Sequence, residues 1–153
     1  MTYEDLLKEA DSHELITKEK PLCAYDGRIK GKRIAIRKDL SESAKKCVLA
    51  EELGHYYTTA GNILDQNDDL SRKQELRARI WAYDKMIGLT GIINAYRHGC
   101  RTLYDVAEYL EVTESFLSEA LGQYKRKYGT HVTLDHYVIL FEPSLGVLEI
   151  KSP

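Results

Sequence analysis

Residues 48–57, VLAEELGHYY, place two adjacent glutamates and a histidine in a stretch that is otherwise apolar or aromatic. Successive residues of an α-helix are about 100° apart, so His55 lies about 40° and Glu52 about 100° from Glu51. The three polar side chains therefore share one face, while leucine, alanine and tyrosine cover most of the remaining surface. A helix that is apolar nearly all round is expected to be buried in the centre of a fold.

Buried carboxylates need a partner, because an ionised glutamate without one is costly and an adjacent like charge adds to the cost. Glu51 and Glu52 must therefore be protonated, paired with a basic residue or bound to a cation. A cation with His55 as its nitrogen ligand would satisfy all three groups. The alternative is a solvent-facing edge, with both glutamates hydrated and His55 hydrogen-bonded near the helix end. The string EExxH alone is a weak signal and favours that alternative.

The composition is that of an ordinary soluble globular protein. The chain has 153 residues, with 43% hydrophobic and 30% charged residues and a net charge of −2. This balance gives no whole-chain attraction to nucleic acid or to an anionic membrane. Cys23, Cys47 and Cys100 are too widely spaced for a disulfide framework or a CxxC zinc site. The acidic N-terminus is unlike a signal peptide and no apolar run could span a membrane, so we expect a cytoplasmic protein.

Local patterns predict a mostly helical α+β chain, and several elements can be assigned before residue 100. The first half has a helix over residues 3–13, two strands over residues 21–38 around an Asp26-Gly27 turn, and the central helix from Ser41 or Ser43 to near Gly61. It continues with a polar loop over residues 62–73, a helix from Lys73 to Ile87 closed by Gly88, and a short helix ending at Gly99.

The remainder of the chain predicts a helix-turn-helix and a β-hairpin. Residues 102–129 read as helix, tight turn and helix, with Gly129 as the stop. Residues 136–151 read as two strands joined by the segment 142–146, which contains proline and glycine.

The order of these segments resembles the ImmA/IrrE family of metallopeptidases, gluzincin-like proteins common in phages and mobile elements. The likeness covers most of the chain, and its clearest parts are residues 27–41, 48–61, 74–82 and 103–129. In the family the first helix carries HExxH, and the next supplies an acidic ligand within a pattern that here is Glu75, Ala78, Trp81 and Ala82. The resemblance implies one domain over residues 1–153, with a metal-helix core over 1–99 and a helix-turn-helix-like and hairpin subregion over 100–153.

The resemblance also implies roles for four residues. His55 matches the second histidine ligand, Glu75 the acidic third ligand, and Glu52 the general base that acts on metal-bound water. Glu51 stands where the family has its first histidine, so the metal ligands would be two carboxylates and one imidazole. Three ligands and an open position suit catalytic Zn²⁺, and the oxygen-rich set also suits Mn²⁺ or Fe²⁺.

The position of Glu75 can be assessed independently of the family. Glu75, Ala78, Ala82 and Met86 lie on one stripe of their helix, so the carboxylate follows a face of small residues that another helix can approach closely. The alternative is a solvated glutamate in the first turn, stabilised by the helix dipole.

Three functions follow as hypotheses. The resemblance implies a metal-dependent endopeptidase of phage or mobile-element origin that cleaves a helix-turn-helix repressor at one site and relieves repression. Glu51 motivates the alternative of a weak or inactive metallopeptidase-like protein that regulates a repressor by binding it. Direct DNA binding through residues 102–129 is disfavoured, because Glu114 and Glu119 at the reading positions would repel phosphate and the basic run 125–127 comes only at the far end.

Overall fold

The computed structural model describes residues 1–59 and 68–151. The chain divides into two compact units, Met1–Lys85 and Met86–Pro153. This described part contains six helices and six strands, the strands forming two separate three-stranded sheets, and it confirms the mostly helical α+β class. Within it, every helix is too short or too polar to cross a membrane. The zincin-like character of the core stays a prediction.

The first unit holds α1 (Tyr3–Ser12), β1 (Ile16–Lys20), β2 (Gly27–Lys30), β3 (Arg33–Arg37), α2 (Glu42–Thr58) and α3 (Asp68–Met86), whose last residue lies past the unit boundary. Strand β3 is central, parallel to β1 and antiparallel to β2. Its Ile34 and Ile36 are 2% and 0% exposed. They lie on the face that packs against α2, which also contacts β2 and α1.

The predicted turn at Asp26-Gly27 is wrong. Gly27 begins β2, and the chain reverses at Gly31-Lys32, between the paired residues Lys30 and Arg33. Gly31 has a φ of +60°, a left-handed conformation that glycine adopts without steric cost. An Asp-Gly pair is the stronger local hairpin signal. The observed register prevails because it brings Ile34 and Ile36 onto the buried face.

Strand β1 was not predicted. Its sequence, ITKEK, is largely charged and carries no apolar alternation. Charged edge strands are common in native sheets because the charges oppose pairing with other chains. Such a strand forms through its pairing with β3, which lies distant in the chain, and local sequence gives little sign of it.

Both ends of α2 are close to the prediction. The Ser41 side chain caps the helix by accepting a hydrogen bond of 3.2 Å from the Ala44 N–H. The helix ends at Thr58, and Gly61 lies outside the described residues. Helix α3 begins at Asp68, so the last part of the predicted loop over 62–73 is helical and the rest lies outside the described residues. Acidic residues favour a helix N-terminus through the dipole, which accounts for this earlier start.

The second unit contains α4 (Gly88–His98), α5 (Leu103–Leu110), α6 (Glu114–Tyr128), β4 (His131–Leu134), β5 (Tyr137–Leu140) and β6 (Gly146–Glu149). The helix-turn-helix is confirmed as α5 and α6, and helices α4 and α6 end at Gly99 and Gly129 as predicted. The hairpin of β5 and β6 is confirmed, and β4 adds a third strand antiparallel to β5. Helix α4 lies in this unit, which begins at Met86, and the subregion boundary at 99/100 stays a prediction. The single domain over 1–153 stays a prediction.

Candidate metal centre

The backbones of α2 and α3 touch at Gly54. A Cβ atom added there would lie 2.3 Å from the carbonyl oxygen of Ala78, which is itself fully buried. A glycine inside a helix costs about 1 kcal/mol relative to alanine, and here its missing side chain is what allows the two helices to meet. Ala82, one turn further along α3, is also fully buried. The face of small residues predicted for this helix is therefore the face that α2 approaches.

This contact brings His55 and Glu75 together. The Nε2 atom of His55 and the Oε2 atom of Glu75 are 3.0 Å apart, and the other oxygen of Glu75 lies 3.5 Å from Nε of Arg79. The hydrogen bond that His55 donates to Glu75 raises the pKa of His55 and lowers the pKa of Glu75. The two residues that were predicted to be ligands on different helices thus form one pair.

Glu52 is buried, with 8% of its surface exposed. Burial raises its pKa to about 7, and the charges of Glu51 and Glu75 act in the same direction, while His55 and a backbone hydrogen bond from Ile29 oppose the rise. A general base works best when its pKa is near the working pH. Burial is the largest of these effects on the pKa of Glu52.

Strand β2 passes directly beside Glu52. A Cβ atom added at Gly27 would lie 2.3 Å from Cγ1 of Val48 and 3.4 Å from an oxygen of Glu52. Two residues further along the strand, the backbone N–H of Ile29 donates to the Glu52 carboxyl group. Sequence reasoning missed both contacts, because they depend on how β2 lies across α2. The sequence feature that could have indicated a close approach is Gly27, the glycine that begins β2.

Glu51 is half-buried and has interactions of its own. Among the residues that the structure describes, no three histidine, cysteine, aspartate or glutamate side chains lie close enough together to hold a metal ion. The structure therefore brings two of the three predicted ligands, His55 and Glu75, into contact. The role of Glu51 as third ligand stays a prediction.

The His55 and Glu75 pair fits a divalent cation as two of its ligands. Metal–ligand bonds from nitrogen and oxygen are about 2.1 Å long, so neighbouring ligand atoms of one cation lie roughly 3 Å apart or slightly more. The separation of 3.0 Å between Nε2 and Oε2 is that of a hydrogen bond, and a cation that replaced the shared proton would need only a small increase in this distance. An imidazole and a carboxylate are also donors that zinc, manganese and iron accept.

An aromatic cluster surrounds the C-terminal end of α2. His13 packs edge-on against Tyr56 and Tyr57, with ring centroids 5.6 and 5.2 Å away. Tyr57 also packs on Trp81 of α3 at 4.9 Å and donates a hydrogen bond of 2.9 Å to Glu9. The cluster ties α1, α2 and α3 together at the two residues that directly follow His55.

Comparison with known proteins gives one family. A family model described as an IrrE N-terminal-like domain, of the M78 peptidases, matches residues 2–121, which is most of the chain. The matched segment contains all four candidate site residues. No curated protein matches the chain.

Proposed function

The chain belongs to the IrrE N-terminal-like family of M78 peptidases, and from this premise we propose that it is a metal-dependent endopeptidase. The observation that supports this most directly is the pairing of His55 Nε2 with Glu75 Oε2 at 3.0 Å. His55 lies on α2, the helix that also carries the buried Glu52. We propose His55, Glu75 and Glu51 as metal ligands and Glu52 as the catalytic residue. Zn²⁺ is the first candidate, and Mn²⁺ or Fe²⁺ also suit a set with two carboxylates.

The proposed chemistry assigns the proton transfers to Glu52. Its carboxylate takes a proton from the water that attacks the scissile carbonyl and passes that proton to the leaving amine. The Ile29 N–H holds the carboxyl group in place. A bound cation would replace the proton that His55 Nε2 donates to Glu75, so that both atoms turn to the cation. A bound divalent cation would supply Lewis acidity, which polarises the carbonyl and makes water more acidic.

We propose a helix-turn-helix repressor as the substrate, cut at one site so that repression is relieved in a phage or mobile element. Strand β2 supports a peptide substrate, because it is an edge strand of its sheet and passes beside Glu52. An edge strand can pair with an extended peptide through main-chain hydrogen bonds. A peptide paired there would lie next to the general base.

The test is incubation of the purified protein with the repressor encoded beside it and added Zn²⁺, followed by mass spectrometry of the products. One defined cut is expected from the wild type and none from Glu52→Gln, which should still bind the repressor. Glu108→Gln, on the exposed face of α5, is the matched control and should cut as the wild type does. An intact repressor in a stable complex with the wild type would contradict the endopeptidase.

That last outcome is the result expected from the second candidate, a weak or inactive protein that regulates a repressor by binding it. Two observations favour it. Glu51 replaces the first histidine of the family pattern, and no three-ligand group is gathered in the part of the chain that is described. The scaffold could then hold the repressor without hydrolysing it.

The helix-turn-helix of this chain does not itself favour DNA binding. The residues at the start of α6 that would face a groove, Glu114, Ser115, Ser118 and Glu119, are all exposed. Two of them carry negative charge, which phosphates repel. We therefore assign this segment an architectural role.

A further inference from the structure

The outer face of the first sheet carries an unusual concentration of basic side chains. Residues of β3 alternate, so Ile34 and Ile36 are buried while Arg33 and Ala35 point to the other face. The strand pairing places Lys18 and Arg28 on either side of Ala35. We call this surface the basic trough, and its charged members are Lys18, Lys20, Arg28, Lys30 and Arg33.

The trough has a floor and two rims. Neighbouring strands lie about 4.8 Å apart, so Lys18 on β1 and Arg28 on β2 are roughly 10 Å apart across β3. The small side chain of Ala35 between them leaves an open channel. A cavity of about 330 Å³ lies here and is lined by all five basic residues.

Within the described part of the chain, the basic side chains of the trough form no salt bridges. All five side chains are exposed. Arg37, at the end of the same face, differs because it pairs with Asp26 and Asp39. The whole chain has a net charge of −2, so the positive charge is segregated onto this face. A surface of this kind attracts a polyanion.

An aromatic ring lies among the charges. Tyr25 lines the same cavity, is 41% exposed, and lies under the guanidinium group of Arg28, whose central carbon is 5.8 Å from the ring centroid. Grooves that bind single-stranded nucleic acid combine basic side chains, which follow the backbone, with aromatic rings on which bases stack. An acidic peptide would use the charges but not the flat ring. A duplex keeps its bases stacked inside and away from Tyr25.

We propose that the basic trough binds single-stranded nucleic acid, with phosphates along the Lys18 and Arg28 rims and a base against Tyr25. This inference does not depend on the peptidase reaction, because the trough lies on the face of the sheet opposite α2. It also uses a different surface from the helix-turn-helix. The net charge of −2 gives the whole chain no attraction to nucleic acid. The five basic side chains of the trough can still attract a nucleic acid locally.

The experiment uses the full chain and a labelled oligothymidylate of about 15 nucleotides, within the range of site sizes for such proteins. Fluorescence anisotropy should show binding that weakens with salt. If all five basic residues contact phosphates, the slope of log K against log salt should be about −3.5, because each contact to a single strand contributes about −0.7.

Substitutions in the trough separate its parts. Lys18→Gln with Arg28→Gln should weaken binding about tenfold or more and make the slope about 1.4 less negative. Tyr25→Ala should weaken binding about fivefold with the slope unchanged, because it removes stacking and no charge. The matched control, Lys8→Gln with Arg97→Gln, removes the same charge from exposed positions elsewhere and should leave both values unchanged. Circular dichroism confirms that each variant is folded.

Several results would overturn the proposal. These are the absence of binding at low salt, equal affinity of the trough double variant and the wild type, and equal or tighter binding of a duplex of the same length. A polyglutamate peptide that binds as tightly as the oligonucleotide would identify the trough as a site for acidic proteins instead.

Discussion

Gly54 of α2 lies so close to Ala78 of α3 that a Cβ atom at position 54 would be 2.3 Å from the Ala78 carbonyl oxygen. The next residue on α2 is His55, and three residues before Ala78 on α3 is Glu75. The candidate site is therefore built on a contact between two backbones. The geometry of the site depends on Gly54 having no side chain, because a Cβ atom there would prevent the close approach of the two helices.

Replacement of Gly54 by alanine should separate the two helices. The added methyl group meets backbone, which cannot rotate away, so we expect the free energy of unfolding to fall by about 1–3 kcal/mol and the His55–Glu75 pair to be lost. Urea denaturation measures the first effect, and cation content measures the second. In contrast, Gly122→Ala in α6 adds a methyl group with no atom within 4 Å and should stabilise the protein by up to about 1 kcal/mol. Equal stability of Gly54→Ala and the wild type would contradict the close contact.

Removal of either member of the His55 and Glu75 pair should abolish cation binding. We expect the metal content of purified protein, measured by elemental mass spectrometry after loading with Zn²⁺ and dialysis, to fall to background in His55→Ala and in Glu75→Ala. His98→Ala is the control, because His98 is exposed on α4 and stacks on Tyr109 at 4.6 Å. If both site variants keep the metal of the wild type, the centre lies elsewhere.

A pH-dependent contribution to stability is expected from Glu19. Its carboxylate accepts hydrogen bonds from Lys45 at 2.8 Å and from the Tyr3 hydroxyl at 3.1 Å, and the bond from Lys45 is the main reason why the pKa of Glu19 is lowered. A carboxyl group whose pKa is lowered by folding stabilises the protein above its ordinary pKa, and this stabilisation is lost as the pH falls through the lowered value.

Glu19→Gln should therefore lower the melting temperature at pH 7, and the difference from the wild type should shrink below about pH 4.5. Thermal unfolding followed by circular dichroism from about pH 3 to pH 7 measures this. A difference that is constant over this range would mean that the ionised form of Glu19 has no special role.

The turn of the helix-turn-helix should tolerate glycine better than the residue it has. Glu111 ends α5 with a φ of 57°, a left-handed conformation that costs free energy in any residue with a Cβ atom. We expect Glu111→Gly to raise the free energy of unfolding by about 1 kcal/mol. Glu108→Gly, one turn earlier in the same helix, should lower it by a similar amount. A destabilising Glu111→Gly would show that its side chain has a role in the turn.

The local part of the site could be predicted from sequence because it follows from helix periodicity. The spacing of Glu51, Glu52 and His55 places them on one face of α2, and the alanines after Glu75 mark the face of α3 that meets another helix. Helical phase is a property of consecutive residues. It does not require knowledge of what packs against them.

The remaining contacts could not be predicted because they join segments distant in the chain. Ile29 reaches Glu52 only through the register of β2, and the Asp26-Gly27 pair indicated a different turn. A glycine inside a strongly helical stretch, as at Gly54, was a signal of close packing, but its partner could not be named. The extent to which Glu52 is buried depends on all of these contacts together.

The point at which the family match stops has a consequence for how this polypeptide can be shortened. The match ends at residue 121, in the middle of α6, between Ala120 and Tyr124, which are both buried. A chain cut there would keep half a helix and lose the strand β5, on which α4 packs. Deletion mapping at the family boundary would thus report misfolding and not a missing function.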